Sequence, residues 1–271
     1  MSRAALPSTP RIALALLAGA RGEPLRAPVL IGAAELLGVS ANAMRIALSR
    51  LLAAGDVSSP ARGVYALSAQ HLAALAHVHT FRTGFARRVP FGGEFCAVLT
   101  SHLPRRNASA VRRRDSALIL SGFREYRPGV YLRPDNLAGG RAALADHLLQ
   151  LGLDQAADVL GMRLDAAQLQ RVEQLYDVKS DAKRAAALCT RVSALLATMA
   201  TRPARKVAIA AFWLGDEVLR FLARDPLLPE GMADPQPRRA LAEAMSELDQ
   251  RAYAVWRVIL AQLAKPTHPP I

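Results

Sequence analysis

Cysteine is almost missing from this chain: Cys96 and Cys189 are its whole supply, and they stand far apart. With no Cys-x-x-Cys and no paired framework, a disulfide-stapled secreted domain and a cysteine-held zinc module are both excluded. Two structural thiols in a reducing cytoplasm are expected. Aromatic residues are also scarce, at 5%, so much of the apolar surface falls to alanine and favours helices packed through small side chains. No apolar run reaches the roughly 18 residues that a membrane-crossing helix needs. The N-terminus lacks the basic start, apolar stretch and small-residue cleavage pattern of a signal peptide. Catalytic signatures are missing too: there is no GxSxG, no HExxH, no phosphate-binding glycine loop and no suitable Cys/His pair. His77 and His79 lie two positions apart and do not share a helix face, and no carboxylate or cysteine stands at ligand spacing from them. The expectation is a cytoplasmic protein that is not an enzyme and carries no metal or cofactor.

Positive charge is what the chain has in excess. Its 35 Lys and Arg against 22 Asp and Glu give a net charge of +13. The excess is uneven: residues 1–90 carry 10 − 3 = +7, residues 91–165 carry 10 − 8 = +2, and residues 166–271 carry 15 − 11 = +4. A polyanion is the natural partner of such a surface, and the concentration in the first third favours nucleic acid over a general surface effect. At 271 residues and 52% hydrophobic content, the chain is long and apolar enough for two or three cored domains.

The order of elements predicts an α+β fold that is mainly helical. Thr9-Pro10 opens a first helix that closes near Gly19, since proline is tolerated at a helix start. Gly22-Glu23-Pro24 reads as a loop, and a second helix runs from Pro28 through Leu37. Gly38 turns the chain into a third helix with Ser40 as N-cap and Gly55 as stop. Met44, Ala47, Leu48, Leu51 and Leu52 fall on one side of this helix. Asn42, Arg45, Ile46, Ser49, Arg50 and Ala53 fall on the other side or its flanks. Two short strands, Asp56–Ser59 and Val64–Ser68, flank a tip at Pro60-Ala61-Arg62-Gly63. Three helices followed by a hairpin with arginine at its tip is the order of a winged helix-turn-helix, assigned to residues 1–80. A helix from His71 to Thr80 and a basic linker with Arg82, Arg87 and Arg88 follow.

Residues 91–165 read as strand Glu94–Thr100, helix Pro104–Ser121, a hairpin of Phe123–Tyr126 and Val130–Arg133 about Arg127-Pro128-Gly129, helix Gly140–Leu151, and strand Ala157–Arg163. This βαββαβ order is ferredoxin-like. Arg112, Arg113 and Arg114 spread over about 200° of their helix and are expected on a solvated face. Residues 166–271 form a C-terminal helical domain, expected to carry effector binding and dimerisation: Asp165–Asp177, Asp181–Thr201, Pro203–Arg224, a proline-rich loop through Pro237, and a last helix Arg238–Leu263.

Taken together these pieces resemble the PaaX-type bacterial transcriptional regulators, and the resemblance covers nearly the whole chain. It rests on Gly38-Val39-Ser40 and Arg45 through Leu51, on Arg62-Gly63-Val64-Tyr65-Ala66-Leu67, and on Gly122-Phe123. It continues with Pro128-Gly129-Val130-Tyr131-Leu132-Arg133-Pro134, with Leu175-Tyr176-Asp177, and with Asp225-Pro226-Leu227-Leu228-Pro229. Departures from the family pattern are Phe95 for a tryptophan, the acidic Asp216-Glu217 in place of basic positions, and Asp234-Pro235-Gln236-Pro237 for a Trp-Pro-Gly. The resemblance implies a homodimeric repressor of a catabolic operon, released from its operator by an aryl- or acyl-CoA thioester such as phenylacetyl-CoA.

The residue chemistry fits double-stranded operator DNA as partner. Arginine bonds bidentately to guanine and asparagine to adenine, so Asn42, Arg45 and Ser49 are expected to face the major groove, with Ser40 and Arg50 nearer phosphates. Arg62 would reach a neighbouring phosphate or the minor groove from the hairpin tip. Arg202, Arg205 and Lys206 at a helix start fit the phosphates of a CoA-type effector chemically. A ligand-independent DNA-binding regulator is the alternative. A metal-dependent nuclease on the middle domain is disfavoured because its first strand ends in Thr100-Ser101-His102, without an acid.

Overall fold

The computed structural model describes residues 8–69, 72 and 87–265. The chain forms two compact units. The first comprises residues 1–80, 192–216 and 245–271, and the second residues 81–191 and 217–244. The C-terminal segment 166–271 is thus divided between the two, because its long helices place apolar side chains in both cores. No described helix is long and apolar enough to cross a membrane.

The first unit begins with α1 (Thr9–Gly19), β1 (Leu25–Arg26), α2 (Ala27–Leu36), α3 (Ala41–Ala53), β2 (Val57–Ala61) and β3 (Val64–Leu67). The three strands form an antiparallel sheet in the order β1-β3-β2. Strand β1 falls between the loop Gly22–Pro24 and the second helix, where the sequence reading assigns no element; two residues are too short to show an alternating pattern. It exists through pairing, with Leu25 opposite Tyr65 and Arg26 opposite Val64, and the Ala27 N–H donates to the Gly63 carbonyl at 2.8 Å. Pro60 lies inside β2 and not at the tip, which narrows to Arg62-Gly63. An edge strand tolerates proline, and the register shifts between Ser58 and Ala61 to accommodate it.

The core of this unit gathers Ile12, Leu16, Leu17, Leu30, Met44, Leu48, Leu51 and Leu67. Ile209, Phe212, Trp213, Trp256, Leu260 and Leu263 from the later segments pack against it. Leu52, expected to face inward, is 41% exposed. One step beyond Leu51 turns it by about 100° around the helix, past the edge of the packed face.

The second unit is built on β4 (Glu94–Leu99), α4 (Ala108–Leu120), β5 (Arg124–Arg127), β6 (Val130–Pro134), α5 (Gly140–Leu151) and β7 (Asp158–Arg163). Its antiparallel sheet has the order β5-β6-β4-β7. One face places Cys96 and Val98 against Ala117, Leu118, Leu144 and Leu148. The other places Phe95, Ala97 and Leu132 against Val172, Tyr176, Leu228 and Ala233. Helix α6 (Ala166–Glu173) starts on a capping box between Asp165 and Gln168. It is followed by α7 (Val178–Thr198), α8 (Ala204–Leu222) and α9 (Gln236–Ala264), whose residues the two units share.

Several boundaries differ from the sequence reading for local reasons. Helix α4 starts at Ala108 and not at Pro104, because the Asn107 side chain accepts from the Ser109 and Ala110 N–H groups and caps it there. Arg114 is not on a solvated face: it is 3% exposed and pairs with Asp154 at 3.2 Å. Pro237 belongs to the first turn of α9, where its missing N–H costs nothing. Arg87 and Arg88 are no linker, since Ala138 N–H donates to Arg87, Val89 N–H donates to Asn136, and Arg88 bridges to Leu137. Apart from Leu72, which is helical, the expected helix His71–Thr80 falls outside the described residues, as do His77, His79 and Arg82.

Candidate nucleic-acid interface

Helix α3 owes its position to two backbone devices. Gly38, at φ +85°, and Gly55, at φ +75°, adopt left-handed conformations that bring the chain into and out of the helix. Ser40 Oγ accepts from the Ala43 N–H at 3.3 Å and supplies the cap. Met44, Ala47, Leu48 and Leu51 are buried, and this anchoring leaves Ser40, Asn42, Arg45, Ser49 and Arg50 exposed on the outer side. Ile46, 45% exposed, stands among them and offers an apolar contact of the kind that suits a thymine methyl.

Arg62 occupies the β2–β3 turn and is exposed. Among the described residues no carboxylate pairs with Arg45, Arg50 or Arg62. The acidic residues of segment 8–69 are Glu23, Glu35 and Asp56. These guanidinium groups are therefore free for a polyanion instead of being neutralised in place.

A further cation comes with the unforeseen strand. Arg26 of β1 lies directly across from Val64, so both side chains project from one face of the sheet. Leu25 and Tyr65, the neighbouring pair, pack on the core instead, which leaves Arg26 facing outward and exposed. Its pairing next to the Arg62-Gly63 turn brings two arginines to one end of the sheet. The one sequence signal for it is Pro24, which ends the loop just before it, since Pro28 already lies in the first turn of α2.

Arg202, Arg205 and Lys206 are all exposed around the first turn of α8, ahead of the buried Val207 and Ala208. No described carboxylate pairs with them. The acidic pair Asp216-Glu217 is accounted for by ion pairs. Arg11 reaches Asp216 at 2.7 Å within the first unit, and Arg191 reaches Glu217 at 2.9 Å within the second.

Motifs that stood apart in the sequence meet inside the second unit. Arg133, 2% exposed, donates to the carbonyls of Ser121, Pro134 and Pro226 and to Asn136 Oδ1. Asn136 in turn donates to the Leu227 carbonyl at 2.7 Å. The Tyr176 hydroxyl lies 3.1 Å from the Gly122 carbonyl and 3.2 Å from that of Leu132. Arg238 pairs with Asp225 and Asp181, each at 3.2 Å. Burial raises the pKa of Asp225, opposed by Arg238 and by the Leu227 N–H. Burial also pushes the Cys96 thiol up to about 12, which keeps it protonated and unreactive at neutral pH. This cluster fixes the Asp225–Pro229 loop from within the core, with Arg238 Nε meeting Asp225 Oδ2 as an ion pair without hydrogen-bond geometry, and it is scaffold. At the end of β4, Thr100 donates to Gly129 at 3.4 Å and His102 Nε2 lies 2.7 Å from the Ala156 carbonyl. Among the described residues no group of three His, Cys, Asp or Glu could hold a metal ion.

No family model matches this chain, and no curated protein does. Among solved structures it is similar to the uncharacterized protein Rv0674 from Mycobacterium tuberculosis. The two are 22% identical with a TM-score of 0.59, over 93% of this chain and 98% of the other. A likeness at that identity shows a shared fold.

Proposed function

We propose that this chain is a DNA-binding transcriptional regulator of the PaaX type. In this reading residues 1–80 form a winged helix-turn-helix, residues 91–165 a ferredoxin-like domain, and the protein is a cytoplasmic homodimer that represses a catabolic operon. The carrying observation is the outer side of α3, where Asn42, Arg45, Ser49 and Arg50 stand exposed with no described carboxylate neutralising the arginines. A helix anchored by its apolar face and entered through a glycine turn presents such groups to the major groove. Arg45 supplies the bidentate donor fork that guanine accepts, and Asn42 the amide that suits adenine. Arg62 at the hairpin turn supplies a phosphate or minor-groove contact.

Release from DNA by a CoA thioester requires that the effector bind one arrangement of the dimer more tightly than the other. Arg202, Arg205 and Lys206 are the exposed cations offered to its phosphates. The test is a gel-shift titration on the DNA upstream of the gene. Arg45→Ala costs about 1–3 kcal/mol and relaxes base preference, whereas Arg62→Ala weakens all sequences alike. Normal affinity for Arg45→Ala overturns the assignment. Calorimetry against aryl- and alkyl-CoA compounds, phenylacetyl-CoA included, separates a sensor from a ligand-independent regulator.

A further inference from the structure

The two edges of the β5-β6-β4-β7 sheet differ in character. Strand β5 is short, has the sequence Arg-Glu-Tyr-Arg, and carries a register irregularity between Glu125 and Arg127. Arg127 and Arg171 also lie over the Tyr126 ring. Charge and irregularity of this kind blunt an edge against pairing. Strand β7 lacks the irregularity and carries charge only at its two ends, Asp158 and Arg163. It runs six residues in unbroken register with β4, from Asp158 opposite Leu99 to Arg163 opposite Glu94. Among the described residues no strand pairs with its outer side.

Its side chains are as unguarded as its backbone. Leu160 and Met162 lie opposite Ala97 and Phe95, on the face that Val172, Tyr176 and Leu228 cover further in. That cover stops short of β7, where Leu160 is 48% and Met162 36% exposed. A regular, apolar, uncapped edge is the arrangement that natural sheets otherwise avoid.

We infer that β7 pairs with β7 of a second copy of this chain, antiparallel about a two-fold axis at Gly161, to make one continuous sheet. The strand is complementary to itself in this sense alone. A two-fold perpendicular to the sheet keeps each face on its own side and sets Leu160 against Met162 of the copy, and Met162 against Leu160. The Asp158 end of each strand then lies beside the Arg163 end of the other. Asp158 and Arg163 stand five positions apart and project from opposite faces, so this arrangement keeps like charges apart without forming an ion pair across the seam. Parallel pairing would set acid against acid and base against base. This inference rests on the reading above for the dimer itself, places its interface on β7 instead of the C-terminal helices that the sequence suggests, and is tested without DNA.

Sedimentation velocity on the full chain, over a concentration series, is the measurement. The wild type sediments as a dimer. Leu160→Glu with Met162→Glu weakens the dimer ~100-fold by placing carboxylates in the apolar stripe. Its circular dichroism stays unchanged, because both side chains are exposed in the single chain, and its Tm falls only to the value that the wild type shows when diluted to monomer. A second variant probes the axis. Gly161→Cys in a Cys96→Ala, Cys189→Ser background, which removes the thiol directly opposite it on β4, forms a disulfide-linked dimer on mild oxidation, since directly opposed antiparallel residues lie about 4.5–5.5 Å apart. The neighbour it must displace is the flexible end of Arg141. A monomeric wild type overturns the inference, as does a dimer that the glutamate pair leaves intact. If the glutamate variant fails to fold, the cysteine cross-link decides: its presence supports the interface and its absence overturns it. Operator binding lost through Arg45→Ala in a protein that is still dimeric concerns α3 alone, so failure of one reading is separable from failure of the other.

Discussion

Arg133 donates through Nη2 to the Pro226 carbonyl at 3.4 Å, across 93 positions of chain. The contact joins the end of β6 to the Asp225–Pro229 loop, and it explains why an arginine stands at a buried sheet position. Burial lowers the pKa of this guanidinium. Its charge is spread over three carbonyl oxygens and one side-chain amide oxygen. Leu227 is held at φ +51° beside it, a conformation that costs a branched residue about 1–3 kcal/mol unless its surroundings impose it. Asn136, the Leu227 N–H bond to Asp225, and the close approach of Gly122 to Pro226 impose it here.

Removing this hub should therefore be costly. Arg133→Met keeps much of the volume but leaves four buried acceptors unmatched, and it should lower stability by about 3–5 kcal/mol. Arg133→Lys should recover less than half, since one ammonium does not reproduce a planar fork that addresses several directions. Urea unfolding with a probe in the second unit reads both. A loss below about 1 kcal/mol for Arg133→Met would show that the loop is held by other contacts.

Tyr176 gives a prediction with a pH signature. Its hydroxyl serves the Gly122 and Leu132 carbonyls, and Tyr176→Phe should cost about 1–2 kcal/mol at neutral pH. Burial pushes the phenol up to about 12 against the pull of Arg133 and Arg124, whereas an unfolded tyrosine titrates near about 10. The folded state thus favours the neutral phenol. Its contribution is fully present below about pH 10 and is lost as pH rises through about 12. The stability gap between wild type and Tyr176→Phe should hold steady up to about pH 10 and narrow above it. A gap that widens with alkali would contradict the buried, donating hydroxyl.

The strongly patterned parts of this fold were legible from residue order. Helix α3 announced itself through Ser40, Gly55 and the spacing of Met44, Ala47, Leu48 and Leu51, all of which are local signals. Helix α5 was equally clear from Gly140 to Leu151. What escaped was set by partners distant in sequence. Strand β1 is defined by Tyr65 and Val64, and with it Arg26 was missed. Arg114 reads as one of three solvated arginines until Asp154, 40 positions on, draws it inward. The division of residues 166–271 between two cores depends on which faces of α7, α8 and α9 meet which apolar cluster, and periodicity alone does not reveal that.

That division bears on any attempt to isolate the first segment. The core formed by α1, α2, α3 and the β1-β3-β2 sheet is completed by six later side chains: Ile209, Phe212, Trp213, Trp256, Leu260 and Leu263. Arg21 adds an ion pair to Asp249 at 2.9 Å and lies over the Tyr253 ring at 4.0 Å. Half-burying each of six large apolar groups is worth about 1 kcal/mol apiece. The sum is comparable to the whole stability of a small domain, about 5–15 kcal/mol. A fragment of residues 1–80 should unfold without cooperativity and bind the dye ANS, while the full chain does not. A fragment that melts sharply near the full chain's Tm would show that the later helices are dispensable.

In the proposed DNA-binding reading, Arg26 and Arg45 should differ in the kind of contact they make, because they stand on different scaffolds. Arg45 projects from the exposed side of α3 in company with Asn42, Ser49 and Ile46, an assortment able to discriminate base edges. Arg26 projects from the outer face of a sheet beside the Arg62 turn, where phosphate is the nearer target. A phosphate contact displaces condensed counterions. Arg26→Ala should therefore lower affinity for operator and random duplex alike and reduce the slope of log K against log salt by about 1. Arg26→Ala with Arg62→Ala should reduce it by about 2, since each releases its own counterion. Arg45→Ala should lose operator affinity preferentially, narrowing the gap between operator and random duplex by about 1–3 kcal/mol. Fluorescence anisotropy at several salt concentrations separates these effects. An unchanged salt slope for Arg26→Ala would place β1 away from the DNA and leave the turn at Arg62 as the sheet's sole contact.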